Sequence, residues 1–260
     1  MPDVDGFVRE VRRQYGMRPV IPLEFPIEIG DIGTIANDGV WKPISTIRHR
    51  FNCFPARISR MVEDRVWAGC SPNGDVRFET FKNGEVSPLI ARADRAKARA
   101  EIEFNSGNAF VFAAGGLTIR RAVELDDVID KIHLAYHTRR QRPEEGRWYK
   151  DYVFVFEVAD AQRFTAMLAE ADGTRVAVMS RGANGPPSAP ERLASVVRFG
   201  PGSEDLHHIN QRDASGRFYR AYKLRSEVLE RWREEPATRS RGVFTFEWPT
   251  ASFEETFSEV

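Results

Sequence analysis

Only two cysteines, Cys53 and Cys70, occur in 260 residues, and no CxxC pair is among them. That scarcity argues against a disulfide framework or a thiolate zinc site and for a reducing compartment. A long apolar run is also missing: the most hydrophobic stretch, 109–117, is far shorter than the roughly 20 residues of a membrane helix. The opening MPDVDGFVREVRRQYG has no apolar signal core, so a cytoplasmic chain is expected. Net charge is absent too, because 38 basic residues balance 38 acidic ones. Bulk charge therefore offers nothing to nucleic acid, and an anionic partner must meet a local patch. Neither GxSxG, a Walker loop nor a dinucleotide fingerprint is present, so nothing indicates an enzyme. His133 and His137 stand at the i,i+4 spacing that can share a metal but lack a third ligand, and read as a helix-surface pair. His207 and His208, beside Glu204 and Asp205, read as solvated loop residues. No catalytic residue, metal or cofactor is expected.

What the chain does have is alternation. Ala96, Ala98, Ala100, Ile102 and Phe104 interleave with Lys97, Arg99, Glu101, Glu103 and Asn105, a period of two held for ten residues. Ordinary strands average about 5–6 residues, whereas a strand crossing lipid needs roughly 9–11. The segment thus fits either an antiparallel sheet with one wet face or a strand able to enter a membrane. With 42% hydrophobic residues the chain can bury a real core in one large or two small domains.

The remaining pattern is a helix followed mostly by strands. Val4, Phe7, Val8, Val11 and Tyr15 fall at helical spacing, with Asp3 as cap and Gly16 as stop. Arg9, Arg12 and Arg13 lie off that apolar stripe. After a proline-rich link, 19–26, a hairpin turns at Asn37-Asp38-Gly39. Ser106-Gly107-Asn108 reads as a turn that sends 109–118 back as the partner of the alternating strand. Leu125, Val128, Ile129, Ile132 and Tyr136 form a second helical stripe. A strand set then opens at 152–158, turns at Asp172-Gly173 toward Val176 and Val178, and passes a loop at 182–190. Further strands are expected at 193–199, 217–224 and 243–248, with a short helix at 226–234.

Taken in order, the 7–13 helix, the Val40-Trp41-Lys42-Pro43 turn exit, the 97–118 strand pair, the 125–137 helix and the 151–158 strand resemble the pore-forming N-terminal domain of gasdermins. The resemblance covers roughly residues 4–225 and rests on the order of elements, since none of its motifs is specific alone. It implies an α+β fold, a twisted, mainly antiparallel sheet with flanking helices. Two regions, about 60–118 and 152–199, would refold into membrane hairpins, placing Ala98, Ala100, Ile102, Phe104, Phe154 and Phe156 on inserting strands. Acidic lipid would be met by Arg9, Arg12 and Arg13 and by Trp41 with Lys42. The arginines also fit a solvated helix face, the commoner role of such a charge run.

The resemblance also implies an acidic phospholipid membrane and copies of the chain itself as partners, with residence in the cytoplasm when inactive and at the plasma membrane when active. Animal gasdermins carry a large repressor domain, and bacterial ones an acylated N-terminal cysteine; no cysteine precedes Cys53 here. The chain therefore looks most like fungal gasdermin-like cell-death proteins, which implies a divergent homologue as activator. Residues 1–235 read as the pore-forming domain and 236–260 as a tail. There Phe244, Phe246 and Trp248 fit either a removable cap or an edge strand.

Overall fold

The computed structural model describes residues 4–37, 39–52, 55, 57–72, 74–80, 100–123, 125, 128, 151–180, 190, 193, 196–199, 206–225, 227–228 and 257–260. Helix α1, Asp5–Tyr15, buries Phe7, Val8 and Val11 and ends at left-handed Gly16, whose N–H bonds Arg12 O. The N-cap position is Val4, which supplies no side-chain cap; Asp3 lies outside the described residues. Strands β1 (Arg18–Pro19), β2 (Asp31–Ile35) and β3 (Trp41–Thr46) follow, then a short α2 (Ile47–Phe51) capped by the Thr46 hydroxyl. The expected β2–β3 hairpin forms; of its Asn37-Asp38-Gly39 turn, Asp38 lies outside the described residues.

Next come β4 (Arg57–Glu63), β5 (Trp67–Cys70), β6 (Val76–Thr80), β7 (Ala100–Phe104), β8 (Phe110–Val123), β9 (Val153–Ala169) and β10 (Thr174–Ser180). The chain continues through β11 (Val196–Phe199), β12 (Leu206–Gln211), β13 (Ser215–Leu224) and β14 (Phe257–Glu259). The fold is α+β and mainly antiparallel: among the described residues ten strands form one sheet, while β6, β7, β10 and β11 form a second.

Several expectations change. Strand β8 is not the partner of β7; it lies in the large sheet against β4, β5 and β9, while β7 pairs with β6 and β10. The Ser106-Gly107-Asn108 turn moves the chain between sheets because Asn108 is left-handed, at φ 68°. Asp172-Gly173 does likewise between β9 and β10, with Gly173 at φ 73°. The second strand set is longer than the 152–158 pattern, since β9 runs 17 residues through the polar break at Gln162-Arg163. Its ladder with β8 carries it across. His207 and His208 are not in a loop; they are half-buried on β12, opposite Leu168 and Met167. Of the expected 125–137 helix only Leu125 and Val128 are described, of the 226–234 helix only Glu227 and Val228, and 243–248 lies outside.

Apolar residues gather in three clusters. One centres on Ile32, Trp41, Phe154, Phe156 and Tyr219. A second lies under α1, where Phe7 meets the Phe110 and Phe112 rings at 5.5 and 5.3 Å. Tyr15 stacks on Trp67 at 4.5 Å, and its hydroxyl takes the Ala68 N–H and donates to the Ala68 carbonyl. The third fills the space between the sheets: Ile102, Phe104, Val176 and Val178 pack on Val111, Ala113, Met167 and Ala169.

Candidate functional site

Four strands of the large sheet continue as the four strands of the small one, in the same neighbour order. The order β5–β8–β9–β12 on one side of a corner becomes β6–β7–β10–β11 on the other. Along the central pair the register does not slip. Ala100 faces Val178 and Phe104 faces Thr174 before the corner; Phe110 faces Leu168 and Arg121 faces Glu157 beyond it. Five residues on each strand, 105–109 and 169–173, make the bend. Hydrogen bonds cross it, from Asn108 N to Ala169 O at 3.0 Å and from Gly173 N to Phe104 O at 2.8 Å. The Asp172 carboxylate also accepts from the Gly107 N–H. The two sheets are thus one four-strand ribbon folded back on itself.

Left-handed residues make the corner, Gly74 on the first strand joining Asn108 and Gly173 on the central two. On the central strands they also switch which side chains face inward. Beyond the corner the even-numbered Phe110 and Phe112 lie under α1, yet before it the even-numbered Ile102 and Phe104 lie between the sheets. In an unbroken strand, period two would put all four on one face. Strand β9–β10 behaves alike, with Phe164 and Leu168 in the second cluster and Val176 and Val178 in the third.

The small sheet's other face carries Arg77, Glu79, Glu101, Glu103 and Arg175 in cross-strand order. The Arg175 guanidinium donates to Glu103 at 2.5 and 3.0 Å. That face is not uniformly wet, because Glu101 is only 2% exposed.

The residues expected to insert are divided by the fold. Ile102 and Phe104 lie on the folded-back segment, Ala100 sits on the same strand, and Ala98 is outside the described residues. Phe154 and Phe156 are placed elsewhere: they occupy the other end of β9, beside β13, where Phe156 stacks on Tyr222 at 3.7 Å. There they fill the core of the large sheet, remote in register from the corner.

The residues expected to meet lipid also separate. Arg9, Arg12 and Arg13 are exposed on α1, but Arg13 grips Glu10 at 2.6 and 3.0 Å, and that carboxylate raises its pKa. Trp41 is 4% exposed and packs against Tyr219, so it is a core residue; Lys42 beside it is exposed. Phe244, Phe246 and Trp248 lie outside the described residues, while Phe257–Glu259 form strand β14, which pairs with β13 alone among the described residues.

The pattern reading missed the left-handed residues, which carry no signal beyond a Gly or Asn inside an apparent turn. It also left 57–80 unassigned; strand β4 there buries neither face, and β5 is only four residues long.

Solved structures similar to this chain include a bacterial gasdermin from Bradyrhizobium tropiciagri, at 10% identity over 84% of this chain and 86% of that one, with a TM-score of 0.36. Another is the gasdermin A3 membrane pore, at 10% identity over 86% and 90% of the two chains, with a TM-score of 0.32. No family model matches, and no curated protein is similar to the chain.

Proposed function

We propose that this protein permeabilises membranes: it binds acidic phospholipid, assembles with copies of itself and straightens the folded ribbon into β-hairpins that cross the bilayer. The observation that supports this most is the continuous register through the corner. Opening the bend requires the corner bonds to break and the third cluster to part, but no pairing along 100–121 and 157–178 has to change. A straight strand of that span measures roughly 70 Å at about 3.3 Å per residue, far more than the roughly 30 Å hydrocarbon core demands.

Straightening also joins the apolar halves. Ile102, Phe104, Val176 and Val178 come onto the face that carries Phe110, Phe112 and Phe164, while Glu101, Glu103 and Arg175 point the other way. That is the lipid-out, water-in alternation of a membrane barrel. In water the same opening is opposed, since uncovering four large side chains costs about 1.5–3 kcal/mol each, roughly 6–12 kcal/mol together. Lipid removes that cost. Helix α1 packs on the same face over Phe110 and Phe112, so opening the ribbon to lipid also requires α1 to lift from them, with its exposed Arg9 and Arg12 turned to the headgroups.

The biological outcome fitting this activity is regulated cell death, in immunity or allorecognition, released by a divergent homologue or by removal of the tail. Dye release from phosphatidylglycerol vesicles, with images of the same vesicles, tests the proposal. Leakage with rings is expected. Protein that sediments with vesicles yet leaves them sealed would mark a non-lytic lipid-binding module instead.

A further inference from the structure

On β13 the register against β9 slips between Gly216 and Phe218, so Arg217 is the extra residue of a β-bulge. The bulge brings both Arg217 and Phe218 over the Phe164 ring, at 5.9 and 5.6 Å. Arg217 is 1% exposed. Its Nη1 donates to Leu23 O at 2.6 Å and approaches Phe25 O at 3.5 Å, but Nε and Nη2 have no partner among the described residues. Those two nitrogens form one edge of the guanidinium. It is the edge with which Arg13 holds Glu10, Arg120 holds Asp160 and Arg175 holds Glu103. Burial pushes the Arg217 pKa down, yet a guanidinium keeps its proton in proteins, so a charged bidentate fork is sealed inside.

The seal is one short loop. Strand β13 pins both its roots, through Val20 N to Arg217 O at 2.9 Å and Ile27 N to Gly216 O at 3.3 Å. Gly216 has no room for a side chain, since an added Cβ would lie 2.1 Å from Ile27 O. Between the roots the loop arches over the guanidinium and presents Phe25, 60% exposed, flanked by Glu24 and Pro26. Glu24 attracts Arg217 through space, but its carboxylate is half-exposed and lies 3.5 Å from His207. Leu23 belongs to the cluster under α1, so the loop lies on the face of the sheet that α1 covers.

We propose that Arg217 is a concealed receptor for the phosphate of an anionic phospholipid, uncovered when Phe25 enters the bilayer interface and the 20–27 loop lifts. This rests on the membrane reading above and adds a second contact to it. The two non-bridging phosphate oxygens match the fork. An apolar, exposed Phe beside a hidden cation suits the headgroup boundary, where rings are buried and phosphates are within reach.

The full chain is tested as wild type, Phe25→Trp, Arg217→Met and Arg217→Lys. Each is titrated with phosphatidylglycerol and phosphatidylcholine vesicles, and its melting temperature is measured with and without inorganic phosphate. Supporting results are a blue shift in the emission that Phe25→Trp adds, on phosphatidylglycerol only, at least tenfold weaker binding by both Arg217 variants, and a melting temperature for Arg217→Met at or above wild type. Arg217→Lys keeps the charge and loses the fork, so wild-type binding by that variant overturns the bidentate assignment. A lower melting temperature for Arg217→Met assigns the guanidinium to the fold and overturns the proposal. Phosphate that stabilises wild type but not Arg217→Met places a free anion, not a lipid, at the site. If wild type binds vesicles while Phe25→Trp emission and Arg217→Met affinity stay unchanged, this proposal alone fails. If wild type does not bind, the membrane reading fails with it.

Discussion

Replacing Asn108 and Gly173 together with valine should make the chain insert faster. Both residues are left-handed at the corner, at φ 68° and 73°, and neither conformation suits a β-branched side chain. The left-handed state costs an ordinary residue about 1–2 kcal/mol, and valine adds to that. Nothing lies within 4 Å of a Cβ built on Gly173, so the penalty there is conformational and not a clash. The two positions are bridged through Asn108 N to Ala169 O and Gly173 N to Phe104 O, so their costs are not expected to add fully. A combined loss of roughly 2–3 kcal/mol from the folded corner is expected, against no loss in the extended state, where valine is favoured. If the corner opens before the rate-limiting step, each 1.4 kcal/mol is about tenfold, and dye release should accelerate by at least tenfold. Circular dichroism and a thermal melt must first show that the double variant folds. A folded double variant that releases dye at the wild-type rate or slower would refute the proposal that the corner is the barrier.

The other predictions concern single contacts. Arg9→Glu with Arg12→Glu should weaken sedimentation with acidic vesicles more than Arg13→Glu, because Arg13 already holds Glu10; each arginine near the surface contributes about 1 kcal/mol. Ala100→Arg should block leakage, since an arginine facing lipid near the midplane costs roughly 2–4 kcal/mol, whereas Glu79→Lys on the exposed opposite face should leak normally. Asp160→Asn should lower the melting temperature by removing the carboxylate charge and one of its two bonds, of 2.5 and 2.8 Å, to Arg120, a loss of about 1–3 kcal/mol. Ending the chain at 235 removes β14 from β13, and leakage by that shortened chain alone would establish tail release over activation by a partner.

Strands were legible where one face is buried and the other polar. Thr174 to Val178 and Ala100 to Phe104 alternate, and both lie in the small sheet. Their partners were not legible, because a turn motif at Ser106-Gly107-Asn108 looks the same whether the chain folds back beside itself or crosses to another layer. Period two also hid the side switch, which depends on single φ values. Trp41 shows the converse limit: the resemblance assigns it to lipid, yet Gly33, diagonal to it across the hairpin, leaves room for its indole, and an added Cβ there would meet the ring at 2.6 Å. Arg217 is invisible to pattern, since Gly-Arg-Phe-Tyr-Arg suggests alternation and the bulge that turns it inward needs the register with β9.

The edges of the ribbon would supply the reason for the proposed assembly. Strand β4 pairs with β8 alone among the described residues, and both its faces are largely exposed, Met61 at 56% and Val62 at 71%. Across the ribbon, β12 pairs with β9 alone among the described residues. Unpaired backbone groups at such edges are tolerated in water, but in hydrocarbon each costs several kcal/mol. A lone inserted ribbon would carry two such edges along its whole membrane length. The edges differ in sequence, so a second copy would join by head-to-tail pairing of unlike edges, a geometry that propagates until it closes on itself. In the proposed pore a ring is therefore the state in which every strand is paired, and insertion by a single copy should be suppressed. Leakage should accordingly rise more steeply than in proportion to the amount of protein bound per vesicle. A strictly linear dependence, down to one bound chain per vesicle, would mean that a single ribbon suffices.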